Sequence, residues 1–422
     1  MSLALAGLNN PEQRFAVVHI AGTNGKGSVA AMTEAIAREA GIRTGLFTSP
    51  HLCRITERIR INGEPLSDDE LARILRIVEE TCPGPLTFFE ILTVAAFVAF
   101  ADAEIELGVI EVGLGGRLDA TNVVRRPRVT AITSIDFDHT AWLGHTIDAI
   151  AREKAGILKP GVPVILGPLS SGAEEAIEAV ATATGAGPRY RVVRGAVCTD
   201  ERAIAAREEN GLALIRQDSP ARNKENERVN DPAARSVRVR LGLRGHHQVD
   251  NAGVAAGIAW QLAETWPRVG SAIAGGLTKV VWPGRLEHLV ADGVQVVLDC
   301  AHNPHGAAAL AVALRSEGID PQRTALVFGA LADKAWREVL EILAPLATRR
   351  YYAEPRGRSP ATFQALRTVA DGICVGEPRT AIRRALRESP PGDMVLVTGS
   401  IYLVGEVRGE LLHINVDPVV AL

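Results

Sequence analysis

Near its start the chain reads Ala21-Gly22-Thr23-Asn24-Gly25-Lys26-Gly27-Ser28. Glycines let backbone N–H groups turn toward an anion, and a following helix N-terminus adds partial positive charge. A lysine supplies a mobile cation, and a serine hydroxyl can ligate magnesium. Gly22, Thr23, Asn24, Gly25, Lys26, Gly27 and Ser28 are therefore expected to hold the phosphates of a nucleoside triphosphate. The common Gly-x-x-x-x-Gly-Lys-Ser/Thr spacing would need Gly at 20 and Ser or Thr at 27, where Ile20 and Gly27 stand. That weakens the simplest kinase or GTPase reading. A glycine-rich turn that binds nothing would leave Lys26 and Ser28 without a reason to be there. Gly113-Leu114-Gly115-Gly116 resembles a dinucleotide fingerprint only superficially, because the third glycine would fall at Leu118, so no nicotinamide cofactor is expected.

Glu111 closes the apolar run Gly108-Val109-Ile110-Glu111-Val112, where a carboxylate needs a cation or another partner to meet it. His139, in Asp136-Phe137-Asp138-His139, follows the next strand-like run and can converge on the same sheet edge, where ligands of open α/β sheets gather. A lone histidine can equally be a hydrogen-bonded structural residue. Arg117, Asp119 and Asn122 could contact phosphate or substrate, or could form a self-satisfied loop network. Lys154, in Glu153-Lys154-Ala155-Gly156-Ile157, reads on composition alone as a solvated surface lysine.

The elements that would carry these residues alternate. β-branched runs at 17–20, 108–112, 129–134 and 162–166 are interleaved with Ala- and Leu-rich helical segments, which predicts parallel α/β layers. A second series at 294–299, 324–328, 350–353 and 394–398 predicts a smaller open α/β sheet. The Pro283-Gly284 pair separates them, giving expected domains of 1–282 and 283–422. Residues 199–235, rich in Arg, Glu and Asn, are expected to form an exposed excursion or partly ordered loop. With 422 residues, 47% apolar and 23% charged, the chain reads as an ordinary globular protein, its length predicting two domains with room for three. A formal charge of -3 gives no field for nucleic acid or an acidic membrane surface. Five scattered cysteines suggest neither disulfides nor a thiolate zinc site, and fit a reducing cytoplasm. No signal peptide is expected, since no basic region precedes the apolar start and Asn9, Asn10 and Pro11 interrupt it; nor is a membrane span, the most apolar run being 91–101.

The sequence closely resembles folylpolyglutamate synthases and dihydrofolate synthases of the Mur ligase superfamily over nearly its whole length. The matching segments include Gly22 to Ser28, Thr48-Ser49-Pro50-His51-Leu52, Phe89-Glu90, Glu111 to Asn122, Asp138-His139, Glu153 to Ile157 and His247-Gln248 with Asn251. Gly284-Arg285-Leu286-Glu287, Asp299 with Ala301-His302-Asn303-Pro304, and Thr398-Gly399-Ser400 extend the match. The resemblance implies a P-loop-type Mur ligase ATPase domain with a mainly parallel sheet, followed by a smaller Rossmann-like α/β domain. ATP would bind between them, with its phosphates on Gly22 to Ser28 and magnesium on Ser28, Glu111 and His139. The family's lysine at the place of Lys154 is carbamylated, which would supply an oxygen ligand for a second magnesium. Asn251, Arg285, Asp299 and His302 would surround the nucleotide. Thr48, Ser49, Pro50, His51, Phe89, Glu90, Arg117 and Asp119 would meet the pterin and acyl substrate, and Lys26, His139, Lys154 and Arg285 would carry the chemistry.

The implied activity is addition of L-glutamate to dihydropteroate, to reduced folates, or to both, through an acyl phosphate, by a monomer whose partners are small molecules. Monofunctional versions, a Mur-type ligase of another acyl substrate and a catalytically silent binding homologue are the alternatives. Three departures from the family pattern are a short N-terminal lead, Cys300 where glycine is usual, and Asp333-Lys334-Ala335 without a second aspartate.

Overall fold

The structure, a computed structural model, describes residues 1–82, 84–195, 202–209, 211–217, 235–357 and 359–418. It divides into two compact units. The first comprises Met1–Pro50, Thr56–Gly242 and His247–Val281; the second comprises His51–Ile55, Leu243–His246 and Trp282–Leu422.

The strands of the first unit are β1 (Ala16–Ala21), β2 (Thr44–Phe47), β3 (Ile59–Ile61), β4 (Glu64–Pro65), β5 (Leu107–Glu111), β6 (Val129–Ile132), β7 (Val164–Leu166), β8 (Arg189–Arg194), β9 (Ala203–Glu209), β10 (Leu212–Gln217) and β11 (Arg235–Val239). They form one sheet in the order β11-β10-β9-β8-β7-β6-β1-β5-β2-β3-β4. Pairing is parallel from β9 through β2 and antiparallel at both edges. Strands covered on both faces read as unbroken apolar runs, and Val17, Val18, Ile20 and Ala21 of β1 are all buried. The helix Lys26–Glu39 is buried from Gly27 to Ala37 because it lies inside the fold, with no solvated face along that stretch. Gly276 lets another helix approach it: a Cβ there would stand 2.4 Å from the Ile36 Cα.

The expected excursion over 199–235 is corrected in its described parts. β9 and β10 pair antiparallel and continue the sheet, and Ala203 to Ala206 are buried. Ile204 and Ala206 pack where the helix His247–Leu262 presents Gly257 and Gly253, whose missing side chains make the room. Small residues that suit a close helix-to-sheet contact do not read as a strand by hydrophobicity. The remainder, 199–201, 210 and 218–234, lies outside the described residues.

The second unit has strands β12 (Glu287–Ala291), β13 (Val294–Leu298), β14 (Thr324–Phe328), β15 (Arg349–Ala353), β16 (Ile373–Gly376) and β17 (Met394–Thr398), in the order β12-β13-β17-β14-β15-β16. Only β12 runs antiparallel to its neighbour. Side chains alternate across the sheet with period two. Val297, Leu326, Phe328, Tyr352 and Leu396 join one core, and Val296, Leu298, Val327, Tyr351 and Val397 join the other. Among the described residues no helix is long and apolar enough to cross a membrane.

Candidate active site

Strand β1 delivers the chain into the glycine-rich turn, and the turn feeds the helix that begins at Lys26. Gly22 and Gly25 have φ of +148° and +85°, where an L side chain is strained. A Cβ on Gly22 would lie 1.9 Å from the Thr133 Oγ1, and one on Gly25 would lie 2.4 Å from the Asn251 Oδ1. The end of β6 clamps the turn. The Thr133 hydroxyl donates to the Asn24 carbonyl at 2.6 Å, and the Thr23 and Asn24 amides donate to the Ser134 carbonyl and hydroxyl at 2.7 and 3.1 Å. The Thr23 hydroxyl also donates to the Asp136 carbonyl at 3.1 Å. Such pre-ordering lowers the entropy lost when an anion is gripped. Sequence reasoning missed Thr133 and Ser134, and named Gln248 only within a matching segment, with no role. Gln248 is buried, accepts from Asn251 at 2.9 Å, and points its amide at the Ser28 Oγ, 3.4 Å away. Only the position of 133–134 at a strand end beside the turn could have signalled the first two.

Two lysines converge on one carbonyl. Lys26 Nζ donates to the Gly22 and Thr23 oxygens at 3.1 and 3.2 Å, and Lys154 Nζ reaches the same Gly22 oxygen at 2.9 Å. The solvated-surface reading of Lys154 is overturned, since it is 5% exposed. It lies in the last turn of the helix Ile147–Ala155, and its bond to Gly22 ties that turn to the glycine-rich one. A Cβ on Gly116 would stand 2.8 Å from the Lys154 carbonyl, so glycine there permits the approach. Burial first, and the Lys26 charge second, push the Lys154 ammonium down to about 7, against the pull of Asp138 and Asp119.

The sheet order places β1 between β5 and β6, so Glu111 and the loop bearing His139 flank the turn on either side. Glu111 is buried, and its Oε2 accepts from the Ser49 amide at 3.1 Å. This brings Thr48 and Ser49 to the carboxylate, with Thr48 further held by the Arg58 carbonyl at 3.0 Å. Pro50 closes the first unit's segment, and His51 belongs to the second unit. His139 adopts φ of +51° and its Nε2 lies 3.7 Å from the Asp138 carboxylate. Ser28, Glu111 and His139 offer a hydroxyl, a carboxylate and an imidazole. Among the described residues no three His, Cys, Asp or Glu side chains cluster as a metal cage. That donor set fits a hard dication that keeps waters and phosphate oxygens in its shell.

Phe89 fills the space that a side chain on Gly113 would take, its Cζ only 2.4 Å from that Cβ position, and its ring packs 5.8 Å from that of Phe47. Glu90 serves the fold, because its carboxylate accepts from the Thr87 amide and hydroxyl at 2.8 and 2.9 Å in a capping box, which holds it below the usual carboxylate range. Arg117 pairs with Glu153 at 2.9 Å. Asp119 accepts from the Leu114 amide at 2.9 Å and from the Thr121 amide and hydroxyl. Burial nonetheless pushes its carboxyl up. Asn122 bridges the Arg117 and Gly156 carbonyls at 3.0 and 3.1 Å. The loop network is thus formed, and it holds the half-buried Asp119 at the sheet edge without deciding whether substrate also meets it.

In the second unit, Asp299 follows β13, fully enclosed, and accepts from the Leu286 and Ala301 amides, each at 2.9 Å. Burial raises its pKa and the Arg285 charge opposes the rise. His302 Nδ1 lies 3.0 Å from the Cys300 carbonyl. The Cys300 side chain joins the core with Val296 and Leu298, and its thiol is pushed up to about 12 by burial. Gly284 accommodates it, for a Cβ there would lie 2.8 Å from its Sγ.

Residues 20–165 match the Mur ligase middle domain, and residues 284–401 match the Mur ligase glutamate ligase domain. The fold and turn are those of an ATP-dependent ligase of the Mur class. The chain is 33% identical over 424 residues to the dihydrofolate synthase/folylpolyglutamate synthase of Bacillus subtilis, across 97% of this chain and 94% of that protein. FolC of Escherichia coli, solved with DHPP and ADP, matches with a TM-score of 0.80 and 31% identity, over 96% of this chain and 91% of that one. A bifunctional folylpolyglutamate synthase/dihydrofolate synthase solved with Mn, AMPPNP and L-glutamate gives 0.79 and 31%, over 97% and 92%. This chain belongs to the dihydrofolate synthase/folylpolyglutamate synthase family, and the resemblance noted in its motifs is borne out.

Proposed function

We propose that the protein uses ATP and a divalent cation to join L-glutamate to dihydropteroate and to reduced folates, through an acyl phosphate. The observation that carries the phosphate assignment is the convergence of Lys26 and Lys154 on the Gly22 carbonyl, just ahead of the N-terminus of the helix Lys26–Glu39. A carboxylate is a poor electrophile. Its oxygen attacks the γ-phosphorus of ATP, ADP leaves, and the acyl carbon gains a good leaving group. Lys26 and the turn amides hold the transferring phosphoryl group and offset its charge. The neutral amine of glutamate then attacks the acyl carbon, phosphate leaves, and the amine nitrogen loses a proton to give the amide. A dication held by Ser28 and Glu111, with His139, would neutralise phosphate oxygens when bound. In the second unit Asp299, Arg285 and His302, and in the first Asn251, are assigned to the nucleotide. Thr48, Ser49, Phe89 and Asp119 are assigned to the acyl substrate. A monomer in the reducing cytoplasm belongs to the same proposal; the buried thiols of Cys53 and Cys300, neither of them in a disulfide, support the compartment.

The deciding assay is ADP release with ATP, magnesium and L-glutamate, offering dihydropteroate and tetrahydrofolate separately and weighing the products. Gain of one glutamyl unit on both is expected. Gain on one alone would make the enzyme monofunctional, and gain on neither would reject the acyl substrates proposed.

Lys154 gives a second expectation. With its pKa near 7, much of it is neutral at physiological pH, and a neutral amine adds to carbon dioxide, releasing one proton and forming the carbamate. Activity of enzyme stripped of bicarbonate is expected to fall at least about tenfold and to return when bicarbonate is added. Lys154→Ala should not respond to bicarbonate. For the unmodified lysine the unfolded chain keeps its proton up to about pH 10.4, whereas the folded chain releases it near 7. Between those values the unfolded state binds more protons, so stability should rise with pH, and Lys154→Met should flatten that rise in thermal melts.

A further inference from the structure

His19 sits in the middle of β1 with no exposure, among Val17, Val18 and Ile20. A polar ring in a fully covered strand is costly unless its hydrogen bonds do something in return. Its Nε2 lies 2.8 Å from the Thr121 Oγ1, and that hydroxyl lies against the Asp119 Oδ1. A hydroxyl has one proton, and the carboxylate can only accept it while ionised. The Thr121 proton therefore points at Asp119, and Thr121 must accept from His19. This fixes the tautomer: His19 carries its proton on Nε2 and leaves Nδ1 bare. The described residues offer Nδ1 no partner, as a donor there would need but a bare lone pair tolerates better. Burial, reinforced by the Lys159 charge, pushes the ring down to about 3, so it stays neutral.

The relay reaches from the sheet interior to the loop that follows β5. On its far side the loop is tied by Lys159 Nζ to the Asn122 Oδ1 at 2.8 Å, and by Asn122 to the Gly156 carbonyl. None of these ties replaces the proton that Thr121 gives to Asp119, which offsets the burial opposing its charge.

We propose that His19 is a positioning residue for acyl-substrate recognition: its Nε2–H orients the Thr121 hydroxyl, whose bond to the Asp119 Oδ1 fixes that carboxylate at the sheet edge where the substrate's heterocycle would meet it. The inference rests on the assignment of Asp119 to the acyl substrate made above. Its hydrogen bonds lead into the loop after β5, so its loss is expected to act first on substrate capture.

The test compares His19→Phe and Thr121→Val, which remove the relay at near-constant volume, with His19→Gln and Thr121→Ser, which keep an N–H or hydroxyl at similar reach. His19→Phe and Thr121→Val are expected to raise KM for dihydropteroate about tenfold, the equivalent of one lost hydrogen bond to a charged group, with KM for ATP and kcat within about twofold. His19→Gln and Thr121→Ser should recover most of that loss. Equal rises in both KM values, or a fall in melting temperature with no change in KM, would make the relay merely structural and overturn the proposal. Asp119→Asn decides the underlying assignment. If it leaves KM for dihydropteroate unchanged, the assignment fails. If it raises that KM while the relay variants do not, only the role of His19 fails.

Discussion

Replacement of Lys26 by alanine is expected to lower kcat for ADP formation on the order of 10³-fold, the usual scale for losing one positioned charge on a transferring phosphoryl group. Lys26 is only partly buried, and its bonds are to the carbonyls of Gly22 and Thr23, so the fold should lose little. The melting temperature should stay within about two degrees, as for surface changes away from special features. A second readout follows from the shared carbonyl. The Lys26 charge helps to depress the Lys154 pKa. Its removal should raise that pKa and slow carbamate formation at neutral pH, visible as a higher bicarbonate requirement for the residual activity. Turnover at the wild-type rate would remove the phosphate site from the Gly22 to Ser28 turn.

Gly22→Ala is expected to be as damaging by a different route. The new Cβ would meet the Thr133 hydroxyl at 1.9 Å, on a backbone held at φ of +148°. Relief requires either the turn or the end of β6 to move, and overpacking of this kind typically costs about 1–3 kcal/mol. The movement also displaces the carbonyl on which Lys26 and Lys154 converge. ATP affinity should fall by at least about 10²-fold, the scale on which small misplacements act in such sites. Adding Thr133→Ala removes the nearest atom and leaves the next contacts near 3.1 Å. The double variant should recover part of the affinity, measured by titration with a non-hydrolysable ATP analogue. If the double variant binds no better than the single one, the damage comes from backbone strain and not from the clash.

The phosphate turn was legible because it is local. Gly22, Gly25, Lys26 and Ser28 lie within seven consecutive residues, and a turn's conformational needs and a helix N-terminus act over that range. The two parallel sheets were legible for a similar reason, since strands buried on both faces need unbroken apolar runs. By contrast, strand β9 escaped detection, because alanines facing glycines on a helix carry no hydrophobic pattern of their own. Composition alone could not place Lys154. Its burial and lowered pKa depend on a helix tied to a turn 132 residues away in sequence.

The sequence by itself determined the chemistry available: a cation and amides for phosphate, a carboxylate at a strand end, and the family to which the motifs belong. Tertiary structure alone decided which groups share an environment. It paired Lys26 with Lys154, tied Ser49 to Glu111, turned Cys300 into core and joined His19 to Asp119 through Thr121. Residue identity sets what a side chain can donate, accept or ionise. Burial and long-range packing set whether it does, because desolvation and neighbouring charge arise only once distant segments of the chain meet.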